Sequence, residues 1–180
     1  MTEERVVVGV SGSQSSVAAL RRGLEEAWRS GRRLVPVHTW EPPEGEIVYA
    51  RAPSPTLAVL WERQARQRLA DVLAEVFGLD AQPDAGVLDA LRLGAAGLPV
   101  EPLVVRAPAW HALPLLAAEP GDLLVLGGGG RRRFGLPHGS VRRRALARAV
   151  CPVLTVGPPT APRSVRRALL RAEPTDFVLS

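Results

Sequence analysis

The sequence contains no lysine, and all 23 of its basic Lys/Arg positions are arginines. A Walker-type phosphate loop places a lysine on the β- and γ-phosphates, so that class of nucleotide site is excluded. Schiff-base catalysis, which needs a lysine amine, is excluded as well. By itself the arginine-only composition is best explained by codon bias in a GC-rich genome, because composition bears on solubility rather than on fold.

Cysteine and aromatic residues are scarce. The single cysteine, Cys151, excludes an internal disulfide framework and a cysteine-rich metal site. Aromatic residues make up 4% of the chain, so we expect an aliphatic core of valine, leucine and alanine. No apolar run approaches the ~20 residues of a membrane span, and the N-terminus lacks the pattern of a signal peptide, so we expect a cytoplasmic protein.

Acidic residues are absent between Asp122 and Glu173, a stretch that contains 11 arginines. Residues 1–122 carry 12 arginines and 16 acidic residues, whereas residues 123–180 carry 11 arginines and 2 acidic residues. This asymmetry predicts that the C-terminal third faces something anionic. The candidates are a nucleotide phosphate, a nucleic acid and an acidic protein surface.

Apolar periodicity predicts strands and helices that alternate along the chain. The predicted strands are 5–10, 34–39, 100–105, 123–126 and 152–156, and the predicted helices are 15–30, 56–77, 108–118 and 140–149. Such alternation is typical of an α/β fold, an open parallel sheet with helices on both faces. Ligands of such sheets bind beyond the carboxyl ends of the strands.

Several local patterns make more specific predictions. Pro36 cannot donate to a ladder, so the second strand is expected to start late or to lie at a sheet edge. The proline-rich segment 40–55 is predicted to be a loop, and 79–99 to contain at most one or two helical turns. The apolar stripe of helix 56–77 is predicted to consist of Leu57, Leu60, Trp61, Leu69, Val72, Leu73 and Val76.

Two glycine-rich segments, 9–13 and 127–130, follow predicted strands. Four successive glycines can present consecutive backbone N–H groups to an anion. Gly139 and Ser140 open the next helix, whose free N–H groups and dipole favour a phosphate. Between them, residues 131–133 are arginines that can make charge-assisted contacts to phosphate oxygens. The pattern Gly-x2-Gly-x8-Gly-Ser therefore predicts a phosphate site, and a tight turn that merely needs positive φ is the alternative.

The remaining candidate side chains favour structural roles. His38, at the end of the second predicted strand, is expected to be a hydrogen-bonded core residue rather than a base. No histidine pair has metal-binding spacing, and the serines 13, 15 and 16 lack the Gly-x-Ser-x-Gly nucleophile elbow. Cys151 is expected to be a buried, inert thiol. The sequence therefore predicts neither a catalytic set nor a metal site.

Four segments, in this order along Arg5 to Pro158, together resemble a known family: VVVGVSGSQSSVAALRRGLEEA, LVPVHTWEPP, PVEPLVVRAPAWHAL and DLLVLGGGGRRRFGLPHGSVRRRALARAVCPVLTVGPP. The family is that of the universal stress proteins, and the chain is most similar to its single-domain actinobacterial members. The resemblance implies a five-stranded, Rossmann-like sandwich of the adenine nucleotide alpha hydrolase type. It also implies a domain over 1–158, followed by a basic tail over 159–180, and a homodimer joined through the last strand, Pro152–Val156.

The resemblance further implies a stress-type regulatory protein that binds ATP, because many members use a Gly-x2-Gly-x9-Gly-Ser/Thr motif. Gly127, Gly130, Gly139 and Ser140 match that motif, and Thr39 matches the position whose backbone meets the adenine. The site expected on these grounds comprises Gly9, Ser11, Gly12, Thr39, Gly127, Gly130, Arg131, Arg132, Gly139, Ser140 and Val141.

Two departures from the family keep other functions open. Eight residues separate Gly130 from Gly139 where the family has nine, and Ser11 stands where the family has Asp. A dimeric scaffold that has lost nucleotide is therefore the second hypothesis. A non-specific nucleic-acid contact through the arginine-rich C-terminal third is the third, although no recognition helix or aromatic-interleaved basic strand is present. Slow ATP hydrolysis is the most catalysis that we expect, and whether Mg²⁺ accompanies the nucleotide is left open.

Overall fold

A computed structural model of the protein describes residues 4–79, 86–94, 97–128 and 140–159. Five parallel strands form a sheet in the order β3-β2-β1-β4-β5. The strands are β1 (Arg5–Gly9), β2 (Arg33–Trp40), β3 (Leu103–Arg106), β4 (Leu123–Gly127) and β5 (Val153–Val156). The helices are α1 (Gln14–Ser30), α2 (Glu46–Tyr49), α3 (Pro55–Phe77), α4 (Gly86–Arg92), α5 (Ala109–Leu116) and α6 (Ser140–Leu146).

Helices cover both faces of the sheet, which confirms the predicted α/β class. Successive side chains of a strand point to opposite faces, and Val6 and Val8 pack with α1, α3 and α4 while Val7 packs with α5. Both layers are built mainly from valine, leucine and alanine, as the shortage of aromatic residues predicts. Among the described residues, none of the helices combines the length and apolarity needed to cross a bilayer.

Helix α1 follows its sequence signals closely. The Ser13 side chain caps its N-terminus by accepting a hydrogen bond from the backbone N–H of Ser16, which also donates to the Ser13 carbonyl oxygen. Gly31 ends the helix with a φ of 68°, a left-handed conformation that glycine adopts without steric cost. Val17 and Leu20, on the predicted apolar face, are buried against the sheet.

The prediction for Pro36 was wrong, because β2 spans this residue and lies inside the sheet between β1 and β3. Two residue pairs on either side of Pro36 fix the register there: Leu34 pairs with Val100, and Val37 pairs with Leu103. The same offset places Pro36 opposite Pro102. Leu34 exchanges backbone hydrogen bonds with Pro99 and Glu101 on the β3 side, so Pro36, two residues on, also directs its nitrogen toward β3. The N–H group that proline lacks would therefore fall where the pairing of β2 with β3 is interrupted, and an interior proline is tolerated.

Three other local predictions were also wrong. The third strand begins at Leu103 instead of residue 100, and the predicted loop 40–55 contains α2. Leu57 and Leu60 are 43% and 46% exposed, although they belong to the predicted apolar stripe. Helix α3 has 23 residues and is about 35 Å long, whereas the 8 residues of β2 span about 26 Å. The first turns of α3 thus extend past the sheet, and the described part of the chain leaves Leu57 and Leu60 partly uncovered.

Asp122 connects the starts of β1 and β4. Its side chain is fully buried, and its two carboxylate oxygens accept hydrogen bonds from the backbone N–H of Arg5 and from the Arg5 guanidinium, each at 2.9 Å. The backbone N–H of Glu119 donates to the same carboxylate at 3.3 Å. A buried carboxylate is tolerated only when it is paired in this way.

We expect Asp122→Ala to lower the free energy of unfolding by about 3 kcal/mol, because it leaves the Arg5 donors without their acceptor. Urea denaturation measures the change. The matched control is Glu75→Ala, which removes an ion pair with Arg21 whose two side chains are both more than half exposed. The control should change stability little, and equal losses in the two variants would contradict this account of Asp122.

Candidate functional site

The sheet order reverses at β1, since the chain proceeds outward through β2 and β3 and then returns to β4 on the other side. Open α/β sheets bind ligands at such a reversal, beyond the carboxyl ends of the strands. A cavity of about 350 Å³ lies at this place, lined by the ends of β1, β2 and β4 together with parts of α1, α5 and α6. Its volume is that of a small-molecule site.

The structure brings several of the predicted site residues together. Four of them line the cavity: Gly9, Ser11, Thr39 and Gly127. Gly12 makes the turn before α1 with a φ of 79°, and it is not among the lining residues. The backbones of Ser140 and Val141 begin α6. The other predicted members lie outside the described residues: Gly130, Arg131, Arg132 and Gly139.

Gly127 allows the end of β4 to pass directly against the N-terminus of α1. A Cβ atom at this position would lie 2.9 Å from the carbonyl carbon and oxygen of Ser15 and 3.0 Å from the backbone nitrogen of Ser16. These atoms belong to the backbone and cannot rotate away, so only glycine fits. The contact places the first turn of α1 beside the carboxyl end of β4.

A chain of hydroxyl groups forms the polar wall of the cavity. The Ser13 oxygen lies 3.0 Å from that of Ser11 and 3.1 Å from that of Ser15, and all three residues line the cavity. A hydroxyl can both donate and accept, so this wall is polar without carrying charge. The positive end of the α1 dipole adjoins it and favours an anion. Ser11 was among the expected site residues, whereas Ser13 and Ser15 were considered only as nucleophiles and not as part of the site.

His38 also lines the cavity, and its side chain is 6% exposed. Its Nδ1 atom lies 2.8 Å from the carbonyl oxygen of Val10. A carbonyl can only accept, so Nδ1 carries the proton. Burial lowers the pKa of His38, the nearby Arg68 lowers it further, and the bond to Val10 opposes them by raising it. The imidazole is therefore neutral near pH 7, and the prediction of a hydrogen-bonded core histidine is confirmed.

Arg142, on α6, supplies a positive charge at the cavity. It is exposed, and no carboxylate among the described residues forms a salt bridge with it. Its neighbours Arg144 and Arg148 instead stack on the Trp110 ring, at 5.3 and 4.6 Å from the ring centroid. Arg142 was not among the expected site residues, although its place two residues after Ser140 could have signalled a role in the site.

Another part of the lining, the apolar wall, is formed by residues of β2, β4 and α5 and by the residue after β1: Val37, Leu126, Ala109, Leu113 and Val10. Apolar area of this kind accommodates a planar, weakly polar group such as a nucleobase. The described residues include no cluster of three or more His, Cys, Asp or Glu side chains that could hold a metal ion. The arrangement can bind an anion joined to an apolar group, and none of the hydrogen bonds of Ser11, Ser13, Ser15 and Ser16 within the described chain goes to a histidine.

Cys151 contributes nothing to this site. It is buried at the start of β5 in the layer with α5, and burial raises the pKa of its thiol. A protonated, enclosed thiol is a poor nucleophile, as the sequence predicts.

Comparison with known proteins agrees with this geometry. The model of the universal stress protein family matches residues 3–157. A family protein from Burkholderia pseudomallei is 26% identical, with a TM-score of 0.55 over 87% of this chain and 97% of that one. One from Archaeoglobus fulgidus is 20% identical, with a TM-score of 0.57 over 85% and 98%. Another structure from A. fulgidus, in complex with dAMP, is 16% identical, with a TM-score of 0.52 over 87% and 99%. None of the curated proteins compared with the chain matches it.

The pKa of His38 makes stability depend on pH. Folding lowers this pKa below its ordinary value of about 6.5. Below pH 6.5, His38 is therefore protonated to a larger extent in the unfolded chain than in the folded protein. The contribution of neutral His38 to the free energy of unfolding is fully present above pH 6.5, and it is lost as the pH falls below that value. We therefore expect the free energy of unfolding of the wild type to decrease between pH 7.5 and pH 5.5 in urea titrations.

The matched variant is His38→Asn, whose side-chain amide can still donate to Val10 but does not titrate. It should lose less stability than the wild type over the same pH interval. His111 and His138 are present in both proteins, so their effects cancel in the comparison. An equal decrease in the two proteins would show that His38 is not the group responsible.

Proposed function

Because this chain belongs to the universal stress protein family, we propose that it is a regulatory protein that binds an adenine nucleotide, ATP, in the cavity beyond β1 and β4. One observation carries the proposal, namely that a polar, anion-favouring wall and an apolar wall face the same cavity of about 350 Å³. The binding unit is the domain 1–158, and the basic segment 159–180 follows it. The role is one of binding and regulation, not of catalysis.

The base occupies the apolar side of the cavity. Leu113 and Leu126 supply apolar surface, and the backbone of Thr39, at the end of β2, is in place to meet the edge of the base. The A. fulgidus protein solved with dAMP has the same fold, which supports an adenine nucleotide as the ligand.

The phosphates occupy the polar side. Gly127 and the N-terminus of α1 meet there, and Arg142 contributes the positive charge. Backbone N–H groups at a helix N-terminus bind phosphate oxygens without needing a lysine. The remaining phosphate contacts are assigned, on the family's motif, to the loop and the start of α6: Gly130, Arg131, Arg132, Gly139, Ser140 and Val141.

Two measurements test the proposal. The purified protein is denatured and the supernatant is chromatographed for released nucleotide, and protein stripped of nucleotide is titrated with ATP in a calorimeter. We expect released adenine nucleotide or saturable heat, together with a raised melting temperature in ATP. Empty protein that gives neither heat nor thermal shift at millimolar ATP would leave the dimeric scaffold as the better hypothesis.

Gly127→Ala tests the position of the site. The added Cβ atom must displace the N-terminus of α1, so we expect ATP to bind at least about tenfold more weakly, a change of 1.4 kcal/mol. Gly157→Ala is the control, because a Cβ atom there meets nothing within 4 Å. Calorimetric titration of both variants gives the affinities, and a melting curve without ligand verifies that each is folded. Unchanged affinity in Gly127→Ala would place the ligand elsewhere.

The same proposal includes a homodimer joined through β5. This strand lies at the edge of the sheet, and the exposed apolar side chains of Leu146 and Val150 lie just before it in the chain. Pro152 and Val156 accept backbone hydrogen bonds from the β4 side. The backbone groups of successive residues in a strand point to opposite sides, so those of Pro152 and Val156 face β4 while the N–H group of Thr155 points to the open edge. A second copy of β5 can pair with it there.

Thr155→Pro removes that outward N–H group without removing a hydrogen bond to β4. Proline is tolerated on an edge strand, so we expect the variant to fold but to run as a monomer in size-exclusion chromatography with light scattering. Thr155→Val keeps the N–H group and should stay dimeric. A Thr155→Pro variant that is folded and still dimeric would show that the subunits associate through another surface.

A further inference from the structure

Carboxylates are excluded from every stretch of chain that lines the cavity. The lining residues fall in four segments of the sequence, 5–24, 27–40, 102–118 and 123–172, and none of these contains an Asp or a Glu. The last segment includes the whole glycine- and arginine-rich loop between β4 and α6, so the statement holds for that loop as well.

The acidic residues that flank the strands lie either at the amino edge of the sheet or outside the cavity. Glu4, Glu101 and Asp122 each come shortly before a strand, at its amino end. Three acidic residues follow β2 at the carboxyl edge. Glu41 and Glu44 are exposed and do not line the cavity, and Glu46 is held by two hydrogen bonds, of 2.8 and 2.9 Å, to the Arg106 guanidinium.

A site of this composition does not fit a protein-bound magnesium ion. Mg²⁺ in nucleotide sites is held by one or two carboxylates together with the phosphates. Where a serine or threonine hydroxyl ligates the ion in P-loop proteins, an aspartate completes the set. Among the described residues, no aspartate lines the cavity beside the hydroxyls of Ser11, Ser13 and Ser15, and position 11 itself is a serine.

We infer that this cavity takes the nucleotide as its metal-free anion, with protein cations and backbone N–H groups in place of Mg²⁺. This inference rests on the proposed nucleotide-binding function and concerns the form of the ligand. Arg142 and the N-terminus of α1 supply positive potential where a bound cation would otherwise be needed. Mg²⁺ in solution then competes with the protein for the phosphates instead of assisting their binding.

The first test uses the wild-type full-length protein and ATP. Calorimetric titrations are run in excess EDTA and in excess MgCl₂, at matched ionic strength. ATP should bind in EDTA at least as tightly as in MgCl₂. Binding that is tenfold or more tighter in MgCl₂ overturns the inference while leaving the nucleotide site intact. Absence of binding in both buffers overturns the proposed function itself, so the two failures are distinguishable.

The second test restores a carboxylate at the cavity with Ser11→Asp. The added negative charge faces the phosphates, so ATP in EDTA should bind about tenfold more weakly than to the wild type. Addition of MgCl₂ should recover part of that loss, because the ion can bridge the new carboxylate and the phosphates. Ser11→Asn has nearly the same size without the charge and should show no gain from MgCl₂.

Melting curves without ligand verify that both variants are folded. If Ser11→Asp binds ATP in EDTA as tightly as Ser11→Asn does, the charge at position 11 does not affect the affinity for ATP. The inference that protein cations replace Mg²⁺ beside the phosphates is then contradicted. A gain from MgCl₂ that is equal in the two variants would also contradict it, since Asn provides no carboxylate to ligate the ion.

Discussion

The contact between the end of β4 and the first turn of α1 is the constraint on which the site depends. Backbone meets backbone there, and Gly127 has no side chain to hold the two elements apart. The contact brings the free N–H groups of a 17-residue helix to the sheet edge at which the strand order reverses. A larger residue would separate the helix from the strand and would open the cavity to solvent.

Charge in this protein is divided between the two edges of the sheet. At the amino edge, Asp122 and Arg5 form a buried pair that connects β1 to β4. At the carboxyl edge, hydroxyls, backbone N–H groups and Arg142 surround the cavity, and the neutral His38 adds no charge. The buried pair at the amino edge therefore satisfies its charges internally, whereas the cavity at the carboxyl edge presents positive potential that an external anion can satisfy.

Much of the fold could be predicted because its signals are local. Ser13 and Gly31 delimit α1, since a side-chain cap and a left-handed glycine act within a few residues of their own position. The predictions failed where distant segments decide. Pro36 is acceptable inside the sheet because the pairing of β2 with β3, a segment far along the chain, is interrupted beside it. Leu57 is exposed because α3 is longer than the strands beneath it.

The amino-acid sequence by itself determined the strand and helix order, the aliphatic composition of both layers and the glycine positions at the ends of β1 and β4. These follow from periodicity, capping and backbone freedom, which are properties of neighbouring residues. Only the tertiary structure decided that Ser15, His38 and Arg142 share one cavity. That choice depends on strand register and on the angle at which each helix crosses the sheet, and both are set by packing between residues far apart in the chain.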